Sequence, residues 1–124
     1  MAINAEILKK RTFDFALTTF KTIDKLHKSV ANEVMGKQLI RSASSVGANY
    51  RAACKAKSSP DFINKLKIVE EETDESSFFL EIILEINKNQ DLKFEIEKLL
   101  KESNEILAIV VASIKTARNN LNNK

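Results

Sequence analysis

The residue types that most often carry chemistry are scarce in this chain. Its 124 residues include one histidine, His27, and one cysteine, Cys54. Metal sites in helical bundles combine inward carboxylates with Glu-x-x-His pairs. Glu72 and Glu75 have the matching three-residue spacing, but no histidine follows them. The sequence therefore predicts no metal site and no cofactor, and we expect the acidic run around these residues to be solvated or salt-bridged.

The patterns of acid–base and nucleophilic catalysis are missing as well. A serine nucleophile needs an activating base, and His27 has no aspartate signature to position it. Some small helical ribonucleases pair an arginine with a nearby downstream histidine, whereas the nearest upstream arginine, Arg11, precedes His27 by sixteen residues. Gly36 and Gly47 are the two glycines, too few for a phosphate-cradling loop. We expect a protein that works by binding and is not an enzyme.

Basic residues are concentrated in the first half of the chain. The net charge is +3, but residues 1–58 hold 11 Lys and Arg against 4 Asp and Glu (+7), and residues 59–124 hold 9 against 13 (−4). Between Gly36 and Ser59 there are five bases and no acid. Such a block could meet phosphate groups, or it could face the acidic half within the fold or in an oligomer. The candidate nucleic-acid-binding residues are Arg41, Arg51, Lys55 and Lys57.

One stretch inside this block is rich in polar side chains. Arg41, Ser45 and Asn49 follow one another at four-residue steps, the spacing of one helix face. They could form a polar ladder that fixes the packing of the helix, or a binding surface. Serine and asparagine are mediocre helix formers, so their presence in a helix calls for one of these roles.

Hydrophobic residues recur at steps of three and four, which indicates helices. We predict four helices, over about 4–27, 37–56, 59–87 and 91–119. Residues 28–36 are expected to form a loop because Ser29, Asn32 and Gly36 fall there. Residues 87–90 are expected to form the last turn.

The starts of the last two helices have recognisable signals. Ser59 is the expected N-cap of the third helix, since its hydroxyl can accept a free backbone N–H. Pro60 suits the first helical position, where it has no N–H to lose. Asp91 is the expected N-cap of the fourth helix.

The apolar positions identify the expected core faces. In the first helix these are Leu8, Phe13, Ala16, Leu17, Phe20, Ile23 and Leu26. The second helix has small residues opposite its apolar face, so we expect it to pack on two sides. The fourth helix has no charged residue from Ile106 to Ile114. A helix that is apolar all round is buried all round, so we expect its second face to meet a partner such as another subunit.

These elements predict the fold class. Four long helices with short connections favour a bundle, and we predict one all-α domain over residues 1–124, an antiparallel up-and-down four-helix bundle. No charge-free apolar run approaches the roughly 20 residues of a membrane span, and the start of the chain lacks the signal-peptide pattern. A lone cysteine suits a reducing compartment, so we expect a cytoplasmic protein without a membrane partner.

Three sequence blocks carry a resemblance to a known family. They are QLIRSASSVGAN at 38–49, SSPDFINKL at 58–66 and EEETDE at 70–75. In this order they closely resemble bacterial four-helix-bundle proteins that were first noted as products of intervening sequences in large-subunit ribosomal RNA genes. Relatives include the accessory variability determinant of diversity-generating retroelements. The resemblance extends over essentially the whole chain.

The resemblance implies a cytoplasmic bundle that assembles as a homopentamer around an axial channel and has no enzymatic activity. For the retroelement relatives it implies binding of nucleic acid and of a reverse transcriptase. The expected function is therefore binding of structured RNA or DNA through the basic surface of the second helix. The alternative is a protein–protein adaptor or assembly module that makes no nucleic-acid contact.

The family pattern falls on residues that we expect to serve fold and assembly. They are Gln38, Arg41, Ser42, Ser45, Asn49, Asp61, Phe62, Lys65, Leu66, Glu72 and Glu75. The chain departs from the pattern at two places. Ala52 and Ala53 stand where many members have Glu-Gly, and Phe78 and Phe79 stand where many have a tryptophan.

Overall fold

The computed structural model describes residues 4–88 and 91–123. It contains four α-helices: α1 (Ala5–Ile23), α2 (Val30–Cys54), α3 (Ser59–Ile86) and α4 (Lys93–Asn122). No strand occurs in the described ranges, so the all-α prediction is confirmed. Over the same ranges, none of the helices has an apolar stretch long enough to cross a bilayer.

Polar side chains begin the first three helices. Asn4, Ser29 and Ser58 each adopt an extended backbone conformation and accept a hydrogen bond from a backbone N–H three residues later. Each bond satisfies a donor that the first helical turn leaves free. The N-cap of α3 is therefore Ser58, and the prediction of Ser59 was one residue late. Pro60 lies in the first turn of α3, where its missing N–H costs nothing.

The predicted N-cap of α4 is also wrong. The helix begins at Lys93, after Asp91, and its cap position is Leu92, which has a helical backbone and no side-chain cap bond. Asn89 and Gln90, which we assigned to the preceding turn, lie outside the described residues. At its other end α4 continues to Asn122, beyond the predicted end at residue 119.

The predicted loop over 28–36 is mostly helical, because α2 begins at Val30. The residues that suggested a loop serve packing instead. The Asn32 amide donates to the His27 carbonyl at 3.0 Å and to the Asn87 side chain at 3.1 Å. A Cβ on Gly36 would lie 3.1 Å from the Ile23 side chain, so glycine lets α1 approach α2 closely.

The helices form an antiparallel up-and-down bundle, as predicted. Each helix packs on two neighbours, in the cyclic order α1, α2, α3, α4, and over the described residues the diagonal pairs make no helix–helix contact. Asn32 bonds to Asn87, and Ser42 bonds to Ser76, so α2 and α3 run in opposite directions. The two faces of α2 therefore contact α1 and α3, which confirms packing on two sides.

Leucine, isoleucine and valine side chains fill the centre of the bundle. The largest fully buried apolar residues are Leu8, Leu39, Val46, Leu66, Val69, Leu80, Ile83, Ile96, Ile106 and Val110. Small hydroxyl side chains join helices within this core: Ser42 and Ser76 lie 2.9 Å apart, and Ser77 and Ser103 lie 2.7 Å apart. Because buried polar groups must find partners, these bonds fix the register of neighbouring helices.

The predicted core face of α1 is wrong at three positions, whereas Leu8 is buried and Ile23 and Leu26 pack against the core. Phe13, Leu17 and Phe20 are 53%, 41% and 37% exposed. The buried positions of α1 are Leu8, Thr12, Phe15, Thr19 and Thr22. The hydroxyls of Thr12 and Thr19 donate to carbonyls four residues earlier, at 2.9 and 2.7 Å, so they enter the core already paired. The most apolar stripe of α1 consequently faces outward.

Candidate nucleic-acid interface

A cluster of bases lies at one end of the bundle, where α1 begins and α2 ends. Since the two helices are antiparallel, the last turn of α2 places Arg51 and Lys55 beside Lys9 and Lys10 of α1. A shallow cleft of about 510 Å³ separates them, and Phe13 and Glu6 complete its lining. The sequence alone identified the two α2 residues, whereas the two α1 lysines join them only through the packing of the helices.

Intrachain acids neutralise part of this cluster. Lys9 pairs with Glu6 at 3.2 Å, and Lys10 pairs with Asp14 at 3.0 Å. Both are exposed pairs along one helix, a type that is weak and screened by salt. Over the described ranges no ion pair engages Arg51, Lys55 or Lys57, and all three are exposed. Their charges therefore remain available to an anion.

Arg41 is placed differently from the other three candidates. Its guanidinium donates to Glu72 at 3.2 Å and also to Glu75. These two acids lie on α3, so the contact ties α2 to α3 through charge-assisted hydrogen bonds. Arg41 thus combines a position in the basic block with a structural role, and its charge is already balanced within the chain.

The polar ladder over Arg41, Ser45 and Asn49 is not one connected hydrogen-bond network. Asn49 donates to the Ser45 carbonyl at 2.8 Å within α2, and Arg41 bonds across to α3. The helix-to-helix bond at this level comes from Ser42, which is fully buried and contacts Ser76. Packing and register therefore depend on Arg41 and Ser42, while Ser45 and Asn49 lie half-buried beside them.

An apolar groove of about 290 Å³ adjoins the basic cluster, between α1 and α2. Its walls are apolar or small residues, with two bases at one end. The lining residues are Lys9, Thr12, Phe13, Ala16, Leu17, Phe20, Ser44, Gly47, Ala48 and Arg51. Exposed apolar surface of this kind marks contacts with other molecules. Phe13 and Arg51 line both the groove and the basic cleft, so the two surfaces are continuous.

The comparisons with known proteins agree with this architecture. The model of the family described as 23S rRNA-intervening sequence protein matches residues 5–112. The chain belongs to this family. A solved structure of a protein of unknown function from the S23 ribosomal protein family of Bacteroides thetaiotaomicron VPI-5482 is 31% identical, with a TM-score of 0.76, and the match covers 91% of this chain and 99% of that one. Among curated proteins no match is found.

In this member of the 23S rRNA-intervening sequence protein family, the remaining motif residues lie along the α2–α3 side. Asp61 accepts from Lys65 at 2.6 Å and from the Lys57 backbone at 3.0 Å. The Lys65 bond, and then the Lys57 bond, hold the pKa of Asp61 below its ordinary value. Leu66 is fully buried and Phe62 half-buried, whereas Gln38 is exposed. Most of the motif therefore faces neighbouring helices.

Sequence reasoning missed one ion cluster on the opposite side of the bundle. Arg11 of α1 donates to both carboxylate oxygens of Glu102, at 2.7 and 2.8 Å, and to Glu105 at 2.6 Å. The bonds to Glu102 raise the pKa of Arg11 above its ordinary value. The acids of α4 follow one another at three-residue spacing, but nothing in the sequence indicates that α1 lies beside them.

The described residues contain no group of three or more His, Cys, Asp or Glu side chains that could hold a metal ion. Glu72 and Glu75, the pair considered as metal ligands, are the partners of Arg41. Cys54 is half-buried and is one of the groups that raise the pKa of Tyr50, after burial. The features of this family member that could engage another molecule are thus the basic cluster and the groove.

Proposed function

We propose that this chain is a non-enzymatic, cytoplasmic subunit of a homo-oligomer, a homopentamer in line with the family resemblance, that binds nucleic acid through the basic end of α2. The observation that carries the proposal is the cluster of Arg51 and Lys55 with Lys9 and Lys10, with Lys57 two residues further along the chain. Bases that are close together and lack strong acidic partners attract the phosphate backbone.

The bases of the second helix differ in whether acids of the same chain pair with them, and this difference supports the assignment. Arg41 is held by Glu72 and Glu75, so it serves the fold. Lys55 and Lys57 follow the last turn of α2, and over the described residues no ion pair engages their side chains. We therefore assign phosphate contact to Lys55 and Lys57, place Arg51 at the border between the cleft and the groove, and give Arg41 a structural part.

Assembly supplies what a single copy lacks. One cluster offers few phosphate contacts, and each contact is worth little at moderate salt. Several identical clusters on one particle act together, because binding of the first raises the effective concentration of the others. The exposed apolar stripe of α1, with Phe13, Leu17 and Phe20 at its centre, gives the copies a reason to associate.

A second function is favoured by the groove itself. Its lining is mainly apolar, which suits a protein segment better than a phosphate backbone. An adaptor or assembly module would use this groove and leave the basic cluster for subunit contacts or solubility. The two functions differ in whether RNA binding depends on the bases at the end of α2.

The test is RNA binding by the charge-reversed variant Lys55→Glu/Lys57→Glu. These two lysines lie outside the groove, so the variant keeps the assembly surface intact. The matched control is Lys101→Glu/Lys115→Glu, which changes the net charge equally on exposed positions of α4. We expect filter binding of a structured RNA at low salt to weaken about tenfold or more for the first variant, and to change little for the control.

The salt dependence adds a second readout. Each lost phosphate contact lowers the steepness of log Kobs against log salt by about 0.7–0.9, so the Lys55/Lys57 variant should show a shallower slope. An equal loss of RNA affinity in the Lys55/Lys57 variant and in the control would mean that net charge alone governs binding. Absence of binding by the natural chain at low salt would refute the nucleic-acid function and leave the adaptor.

A further inference from the structure

The shape and charge of the groove between α1 and α2 indicate what kind of group could bind in it. Its lining is mainly apolar or small, including Leu17 and Phe20 of α1 and Gly47 and Ala48 of α2, and its end carries Lys9 and Arg51. A volume of about 290 Å³ is at the lower limit for a small-molecule pocket. It suits one large side chain projecting from an acidic surface.

Such a side chain is present on the outer face of α3. Phe78 is 57% exposed, and its ring forms a tilted pair with the ring of its neighbour Phe79, 5.7 Å between centroids. Three exposed acids share this face at helical spacing: Glu71, Asp74 and Glu81. Over the described residues, no ion pair engages these three acids.

Two other exposed apolar side chains have a base beside them. Phe94 is 68% exposed, and Lys98 lies over its ring at 5.6 Å from the centroid. Val111 is 45% exposed, and Lys115 follows it one turn later. The face around Phe78 instead presents acids, which a groove that ends in Lys9 and Arg51 attracts.

We propose that the α1–α2 groove of one copy receives Phe78 of a second copy, with Lys9 and Arg51 opposite Glu71, Asp74 or Glu81. This inference rests on the proposed function, of which it specifies the subunit contact. Groove and aromatic belong to different surfaces of the bundle, so the contact is head-to-tail. Each added copy leaves a free groove and a free Phe78, and the series ends when a ring closes.

A symmetric contact between two grooves is disfavoured on the same grounds. It would bring Lys9 and Arg51 of both copies to one interface, where their like charges repel. The head-to-tail arrangement also explains the charge division of the chain, since the basic first half of one copy meets the acidic second half of the next.

The test uses two variants that each remove one side of the contact. Phe78→Asp removes the aromatic, and Leu17→Asp places a charge in the groove. We expect each variant alone to scatter light as a helical particle of the 14.0 kDa chain mass. Mixed in equal amounts, they should form a particle of twice that mass and no more, because one intact groove then meets one intact Phe78. The control Phe94→Asp, at another exposed phenylalanine, should keep the natural mass.

Helical circular dichroism identifies a variant that fails to fold. If Leu17→Asp loses its helix content, Ala48→Glu on the opposite wall of the groove replaces it in the mixture. A Phe78→Asp variant that keeps the natural oligomer mass, or a mixture that stays at the chain mass, overturns the proposed contact. Neither result changes the conclusion on RNA binding by Lys55 and Lys57, because that binding is measured in a separate experiment. A natural chain that is itself monomeric overturns the contact together with the oligomer.

Discussion

At the scale of single residues, Tyr50 offers an internal reporter of folding. Burial, and then a hydrogen bond with Cys54, raise the pKa of the Tyr50 hydroxyl well above its ordinary value. The chain has one tyrosine and no tryptophan, so the phenolate absorbance comes from this side chain alone. Tyr50 lies near the end of α2, directly before Arg51 and five residues before Lys55, and therefore reports on the part of the bundle that carries the candidate site.

We expect the phenolate titration of the folded chain to have a midpoint above that of the chain in denaturant, which should lie near the unperturbed value of about 10. A pKa that is raised in the folded state stabilises fully below the unfolded pKa and loses this stabilisation as pH rises through the folded pKa. The free energy of unfolding should therefore fall above about pH 10. The variant Tyr50→Phe should show a smaller fall in the free energy of unfolding. Equal titration midpoints for the folded and the denatured chain would show that Tyr50 is not buried.

The candidate-site residues were partly accessible from sequence. Arg51, Lys55 and Lys57 stand in a stretch without acids, and that pattern is local. The pairing of Arg41 was not accessible, because Glu72 and Glu75 are more than thirty residues away along the chain and meet it through the register of α2 and α3. Charge counting cannot distinguish a base that is free from one that a neighbouring helix neutralises.

At the scale of elements, the start of α3 gives a matched pair of substitutions. The Ser58 hydroxyl accepts the Asp61 N–H at 3.2 Å, whereas its neighbour Ser59 is the first residue of the helix. We expect Ser58→Ala to lower the free energy of unfolding by about 1 kcal/mol, the usual cost of a lost N-cap, as measured by urea denaturation. Ser59→Ala should stay within about 0.5 kcal/mol of the natural chain. Reversed effects would place the cap at Ser59.

The number and type of the elements followed from hydrophobic spacing, and the exceptions have physical causes. The loop predicted over 28–36 contained three residues that are common in loops. In the structure Ser29 caps α2, Asn32 bonds to Asn87, and Gly36 lets α1 approach α2 closely. The outward stripe of α1 was assigned to the core because it is the more apolar of two faces. Periodicity detects an apolar face, but it does not say whether that face meets its own core or another molecule.

At the scale of the whole molecule, two features remain without use inside one chain. One is the apolar groove with Phe13, Leu17 and Phe20, and the other is the part of the charge separation that the intrachain pairs of Arg11, Lys25 and Arg41 leave unpaired. On α4, Ile106, Val110 and Ile114 are buried in the core, whereas Val111 on the second apolar face is 45% exposed. Contact of this second face with a partner stays a prediction. Association of identical copies hides apolar surface and brings opposite charges together.

The mass of the natural chain in solution, measured by light scattering over a range of dilutions, tests this most directly. We expect a particle of several chain masses, five times 14.0 kDa for the pentamer, that persists at micromolar concentration. A stable particle of a single chain mass at that concentration would contradict the proposed assembly and, with it, the shared basic surface.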